Sequence, residues 1–131
     1  MQVSKIRLLI AEDNAAYRSA LIRFLKEYPS LEVVGEATDG EDAIRRAEEL
    51  RPTIVLMDIN MPKLNGIAAT RRLKAHYKEI TVIGLSVRAD QDYVDAMRKA
   101  GAAELLSKES VTEDLYATIQ RAMALRDNLP S

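Results

Sequence analysis

Residues 53–66 read TIVLMDINMPKLNG, an apolar, β-branched run from Thr53 to Met57 that stops on a carboxylate, Asp58, and is followed by Met61, Pro62 and the pair Asn65-Gly66. Pro52 bounds the run on one side and turn formers bound it on the other, so it is too short for a helix and reads as a β-strand. It shows no polar alternation. A strand that is apolar on both faces belongs in a parallel sheet covered by helices on both sides. Only the charge at its carboxyl end departs from that pattern.

Working outward, the same signature recurs. Ile6 to Ala11 forms a first strand ending on Glu12 and Asp13, and a helix begins near Asn14 with Tyr17, Leu21, Phe24, Leu25 and Tyr28 as its apolar stripe, stopping before Pro29. Leu31 to Ala37 is the second strand. Thr38 and Glu41 have capping-box spacing ahead of a helix that buries Ala43, Ile44, Ala47 and Leu50. Beyond the opening run, Pro62 and Asn65-Gly66 read as turn residues, and a third helix extends to about Tyr77. Ile80 to Leu85 is the fourth strand, ending on Ser86. A fourth helix runs from about Asp90, with Tyr93, Val94 and Met97 inward, to Gly101, and Ala103 to Ser107 is the fifth strand, ending on Lys108. Ser110 and Glu113 give a second capping box, and Val111, Leu115, Ile119 and Met123 continue at helical spacing. Residues 1–126 are expected to form one domain and 127–131 a frayed tail.

Five strand-helix repeats with apolar strands predict an α/β fold, a doubly wound five-stranded parallel sheet flanked by five helices. At 131 residues, with 47% hydrophobic and 30% charged side chains, the chain can close its own core without a metal or disulfide staple. The absence of cysteine excludes disulfide frameworks and thiolate metal sites, and a single histidine, His76, excludes histidine clusters. His76 lies between Lys74 and Lys78 on a helix and is expected to be exposed and inert. Nineteen basic residues scattered among twenty acidic ones, a net charge of −1, argue against a nucleic-acid-binding face. No apolar run exceeds four residues and no signal sequence is legible, so no membrane contact and a cytoplasmic location are expected.

In doubly wound sheets the ligand crevice lies beyond the carboxyl ends of the strands. Those ends carry Glu12, Asp13, Asp58, Ser86 and Lys108. Two carboxylates about 4 Å apart repel by roughly 4 kcal/mol at an effective dielectric near 20, so three of them need a compensating cation. Lys108 supplies one charge, and an oxygen-only donor set suits Mg²⁺. A carboxylate faced by a divalent cation, an ammonium and a hydroxyl is equipped to accept a phosphoryl group. Neither GxxxxGK[ST] nor GxGxxG occurs, so the phosphoryl group is expected from a donor other than bound ATP.

Glu12-Asp13, the run from Val55 to Pro62 with Asn65-Gly66, Ser86 after Ile83-Gly84-Leu85, and Lys108 together resemble the receiver domain of two-component response regulators, the chemotaxis-regulator-like family, over residues 6 to about 125. The resemblance implies a flavodoxin-like strand order 2-1-3-4-5, an order the receiver family itself exemplifies. It further implies that Asp58 accepts a phosphoryl group from the phosphohistidine of a sensor histidine kinase or histidine phosphotransfer domain. Glu12, Asp13, Asp58 and the backbone carbonyl of Asn60 would hold Mg²⁺. Ser86 and Lys108 would bind phosphoryl oxygens, with Asn60 and Arg88 flanking the site. Ser86 and position 105 would form the switch that reshapes the face made by helix four, strand five and helix five. The family usually has Phe or Tyr at that position, and this chain has Leu105. It commonly has proline after the lysine, and this chain has Glu109. Such a protein assists its own phosphorylation and dephosphorylation without a turnover substrate, so no enzyme is expected. A homodimer is a further expectation. The segment Leu31 to Ala37 resembles receivers of LuxR/FixJ-type DNA-binding regulators, while Gly84-Leu85-Ser86 and Ala100 to Ala103 resemble those of hybrid histidine kinases.

Each residue has a plainer reading by itself: Glu12-Asp13 as compensation of a helix dipole, Ser86 as a strand-end hydroxyl, Lys108 as a solvated lysine, Met57 and Met97 as core filler. Their joint arrival at successive strand ends favours the functional reading. Three alternatives remain. A haloacid-dehalogenase-like phosphatase would want an acid two residues after its nucleophile, where this chain has Asn60. A flavodoxin-like electron carrier would not put Glu12-Asp13 in its phosphate loop. A degenerate receiver acting as a constitutive protein-binding module would keep the fold and lose the chemistry.

Overall fold

In the computed structural model, which describes residues 5–127, the stretch that decides the fold becomes β3 (Ile54–Asp58), buried at every residue and at the centre of the sheet. Around it lie β1 (Ile6–Ala11), β2 (Leu31–Ala37), β4 (Thr81–Ser86) and β5 (Glu104–Ser107), with α1 (Ala15–Leu25), α2 (Gly40–Leu50), α3 (Gly66–His76), α4 (Gln91–Ala100) and α5 (Val111–Asp127). The order is β2-β1-β3-β4-β5, all pairs parallel, as the resemblance implied. The tail expected over 127–131 lies outside the described residues apart from Asp127, the last residue of α5.

Successive side chains of a strand point to opposite faces, so the sheet carries two cores. Leu9, Ala11, Val55, Met57 and Val82 pack with Ala43, Ala47, Ala69, Leu73 and Met97 from α2, α3 and α4. Leu8, Ile10, Leu56, Ile83 and Leu85 pack with Leu21, Leu25, Leu115 and Ile119 from α1 and α5. Both Met57 and Met97 are core residues, and His76 is exposed. Along the outer strand, the β1–β2 ladder pairs Leu8 with Val33 and Leu9 with Gly35, so Val34 is an extra residue and forms a bulge.

The helix starts were legible with two corrections, both at expected capping boxes. Asn14, Asn65 and Asp90 each cap a helix, their side chains accepting from the backbone N–H groups of Tyr17, Ala68 and Tyr93. The capping box expected at Thr38 and Glu41 forms one residue later: Asp39 accepts from Asp42 N at 2.8 Å, while Asp42 accepts from Thr38 N at 3.3 Å. Aspartate caps at least as well as threonine, and it is the residue in extended backbone directly before Gly40. At α5 the Ser110 carbonyl accepts from Glu113 N and Asp114 N, and no side-chain bond between Ser110 and Glu113 accompanies it. Gly101, at φ 112°, closes α4 in the left-handed region as expected.

Asn65, read from sequence as a turn residue, thus also starts α3, and its Oδ1 lies 2.9 Å from Ala68 N. Replacing it with alanine removes that acceptor. Asn65→Ala is expected to lower the unfolding free energy by about 1 kcal/mol in a urea titration; an unchanged midpoint would mean that the cap adds nothing in this context.

Candidate functional site

The carboxyl ends of β1, β3, β4 and β5 converge, and they bring the acidic residues and the lysine together as the strand-end reading expected. Carboxylate oxygens of Glu12, Asp13 and Asp58 lie within 4.8 Å of one another. Glu12 is fully buried, Asp58 is 1% exposed, and Asp13 stands at the open side. The Lys108 ammonium sits 2.6 Å from Glu12 Oε1 and 3.3 Å from Asp58 Oδ1.

The two buried carboxylates are each held by a backbone N–H. Glu12 Oε2 accepts from Asn14 N at 3.0 Å, and Asp58 Oδ1 accepts from Asn60 N at 3.2 Å. Glu12 Oε1 is paired with the Lys108 ammonium at 2.6 Å, which balances this buried charge. Three clustered carboxylates, Asp13 exposed at the mouth and one lysine against the other two, form the all-oxygen donor set a hard divalent cation takes, so the residues fit Mg²⁺.

Burial drives the Asp58 carboxyl up to about 7; Glu12 pushes the same way, and Lys108 opposes both. On Lys108, burial acts against the charged form, but the hydrogen-bonding and charge contributions of Glu12 and Asp58 outweigh it and raise its pKa. Ser86 is buried at the end of β4, where its Oγ accepts from Arg88 N at 3.0 Å. Its hydroxyl proton is therefore left free to donate. Lys108 N donates to the Ser86 carbonyl at 2.8 Å, tying the ends of β4 and β5 together.

Other expected site residues lie farther from the carboxylates. Leu105, half-buried, pairs with Gly84 in the β4–β5 ladder and borders a hollow of about 130 Å³ between α4 and β5 with Val94 and Arg98. The Arg88 guanidinium binds Asp90 at 2.8 Å and stands 5.5 Å from the Tyr93 ring, so it is engaged with α4. The Lys108–Glu109 peptide is trans, as are all others described.

Two residues near the site were missed as such. Arg18 donates to the Glu12 carbonyl at 2.7 Å and to Glu36 at 2.8 Å, bracing the loop after β1. Tyr17, assigned by periodicity to the apolar stripe of α1, places its ring 4.9 Å from the Lys108 ammonium and donates its hydroxyl to the Lys108 carbonyl at 3.3 Å. Its phenol is pushed up to about 12 by burial first and by Glu12 and Asp58 next. The available signal was a hydroxyl-bearing aromatic one helical turn after an acidic pair.

Among the described residues no helix is long and apolar enough to cross a membrane. A family model of the response regulator receiver domain matches residues 8–120. The transcriptional regulatory protein DegU of Brevibacillus brevis is 38% identical over 117 residues, covering 89% of this chain and 50% of that protein. Response regulator GacA of Pseudomonas viridiflava is 33% identical over 119 residues, covering 91% of this chain and 56% of that protein. The chain thus spans about half the length of the curated relatives it matches. Among solved structures, the response regulator domain of Thermotoga maritima CheB matches with a TM-score of 0.84 at 30% identity, over 92% of this chain and 97% of that one. A LuxR-family two-component response regulator from an Aurantimonas species matches with a TM-score of 0.88 at 27% identity, over 92% of this chain and 86% of that one.

Proposed function

Because the chain belongs to the response regulator receiver domain family of two-component systems, we propose that Asp58 is its phosphoacceptor and that residues 1–126 act as a phosphorylation-dependent switch. The observation that carries this is a buried Asp58 in direct contact with the Lys108 ammonium and within 4.8 Å of two further carboxylates. Receiver domains are in general signalling modules without a turnover substrate, and their partners are histidine kinases or phosphotransfer proteins. For this chain the donor is then a partner's phosphohistidine.

In the transfer, an Asp58 carboxylate oxygen attacks phosphorus in line. The oxygen–phosphorus bond forms as the phosphorus–nitrogen bond breaks, and the electron pair leaves with the imidazole. Lys108, already beside Asp58, neutralises charge on the transferring oxygens. Ser86 donates its hydroxyl to a phosphoryl oxygen. Glu12, Asp13, Asp58 and the carbonyl of Asn60 would hold Mg²⁺, whose chemistry when bound is further neutralisation of the phosphoryl oxygens. A new charge of about −1.5 to −2 then draws Ser86 and Lys108 inward and, through the Lys108–Ser86 backbone bond, moves the ends of β4 and β5. The readout is the α4, β5 and α5 face, with Leu105 at the position where most relatives of this type would use an aromatic ring. Asn60 disfavours the phosphatase reading, because an amide cannot serve as general acid.

Incubation with acetyl phosphate and Mg²⁺, followed by intact-protein mass measurement, is expected to add one phosphoryl group to the wild type and none to Asp58→Asn. Equal uptake by both proteins would remove Asp58 from the role. Steady phosphate release from added phosphomonoesters would revive the phosphatase, and absence of both uptake and Mg²⁺ binding would leave a constitutive binding module.

A further inference from the structure

Lysine carries a compact charge on a flexible four-carbon stem, so a lysine that must meet a transferring phosphoryl group has to be held. The Lys108 ammonium has three neighbours here: Glu12 Oε1 at 2.6 Å, Asp58 Oδ1 at 3.3 Å and the face of the Tyr17 ring at 4.9 Å. Two of these are the charges it serves. The third is uncharged and comes from the first turns of α1, a different element from the lysine's own.

Tyr17 also reaches the lysine backbone. Its hydroxyl donates to the Lys108 carbonyl at 3.3 Å, on the far side of the residue from the Lys108 N–H bond to Ser86 at 2.8 Å. Residue 108 is therefore pinned through N–H to β4 and through C=O to α1. Beside it opens a hollow of about 250 Å³ lined by Asn14, Tyr17, Val87, Lys108 and Glu109. That space is many times the roughly 30 Å³ share of a water molecule, enough to take a displaced ammonium and its hydration. Glu109 and Asn14 line that hollow as well as the exposed Val87, so polar groups there could draw the ammonium away from Asp58 unless it is held.

We infer that Tyr17 is a positioning residue for phosphoryl transfer, its ring face and hydroxyl together keeping the Lys108 ammonium turned toward Asp58 and out of the adjoining hollow. The inference rests on Asp58 being the phosphoacceptor. An aromatic face attracts an ammonium electrostatically, and the attraction strengthens where water is partly excluded, as it is at this half-buried pair. The ring, not the hydroxyl, carries the larger share, because the hydroxyl bond is long and fixes only the backbone.

The test uses the full chain with acetyl phosphate at saturating Mg²⁺. Tyr17→Leu is expected to lower the maximal phosphorylation rate about tenfold, with the half-saturating donor concentration unchanged, whereas Tyr17→Phe, which keeps the ring, stays within about twofold of wild type. Placed on Lys108→Ala, Tyr17→Leu is expected to add less than a twofold loss, since the group it positions is gone. Final uptake amplitude separates a folding defect from a rate defect. Independently of uptake, the Lys108 ε-protons are expected to be shifted upfield by the ring current in wild type and Tyr17→Phe, and to lose that shift in Tyr17→Leu. An unchanged rate in Tyr17→Leu, the same tenfold loss with Lys108 absent, or unshifted ε-protons in the wild type each overturns the inference. A wild type that takes up no phosphoryl group yet shows the shift overturns the phosphoacceptor reading, and the assistance to transfer with it, so the two failures read differently.

Discussion

Without divalent cations and above about pH 8, Asp58→Asn is expected to be more stable than the wild type by about 2–4 kcal/mol. The Asp58 carboxyl titrates near 7 in the fold against an ordinary value of 3.8, chiefly because burial disfavours its charge. A proton held by the native state and already lost by the unfolded chain means that stability falls as pH rises from about 4 to about 7, then levels off for this group. Each unit of such a difference corresponds to 1.36 kcal/mol, which sets the upper end of the range. Asparagine keeps the shape and carries no charge, so the variant escapes that loss, and the remaining Glu12 and Lys108 form a balanced pair. The gap should therefore open between pH 4 and 7, and millimolar Mg²⁺ should narrow it by binding the native wild type. Urea titrations across that range in EDTA, then in Mg²⁺, measure it. A wild type more stable than the variant at every pH would show that the site is not under the electrostatic load argued here.

Gly66→Ala is expected to remove about 3 kcal/mol, roughly 10 °C in melting temperature, and to depress phosphoryl uptake with it. Gly66 is the first residue of α3, and its N–H donates to the Ile59 carbonyl at 2.8 Å. A Cβ there would fall inside contact distance of the Asp58 carbonyl oxygen and close to the backbone of Ile59, neither of which can swing aside as a side chain does. Relief requires the end of β3 to move. That displaces the phosphoacceptor, and misplacement of a reacting group by even 1 Å is expensive in rate. Gly84→Ala is the matched control: its added Cβ would meet Met97 Cε at 2.7 Å and Leu105 Cδ1 at 2.8 Å, both ends of flexible side chains. It should lose about 1 kcal/mol and keep its uptake rate. Equal losses in both variants would sink the distinction between backbone and side-chain crowding.

Most of the fold could be read because its signals are local. The strand from Ile54 to Asp58 shows its full burial as unbroken apolarity, and the charges at strand ends stand out against such runs. Asn14, Asp90 and Gly101 announce helix boundaries through chemistry confined to one turn. The placement of the candidate site residues was legible to the same extent, since Glu12 and Asp13 come straight after β1, Asp58 ends β3 and Lys108 comes straight after β5. What escaped depends on other elements. Thr38 and Asp39 are adjacent and both able to cap, so only the course of the chain into Gly40 selects the aspartate. Asn65-Gly66 looks like a turn until β3 and α3 are seen to touch. Tyr17 fits the α1 stripe by spacing, and its real neighbour is 91 residues away. Leu105 differs from the aromatic expected at that position, and the hollow beside it toward Val94 and Arg98 shows room that a larger side chain could enter.

The bulge at Val34 has a consequence for colloidal behaviour. β2 is an outer strand, seven residues long, and an outer strand with a regular row of unpaired N–H and C=O groups invites another chain to add to it. The extra residue breaks that row's repeat midway, and the exposed Glu32 adds a charge to the strand. The opposite edge, β5, offers only four residues. Both flanks of the sheet thus resist edge-to-edge growth.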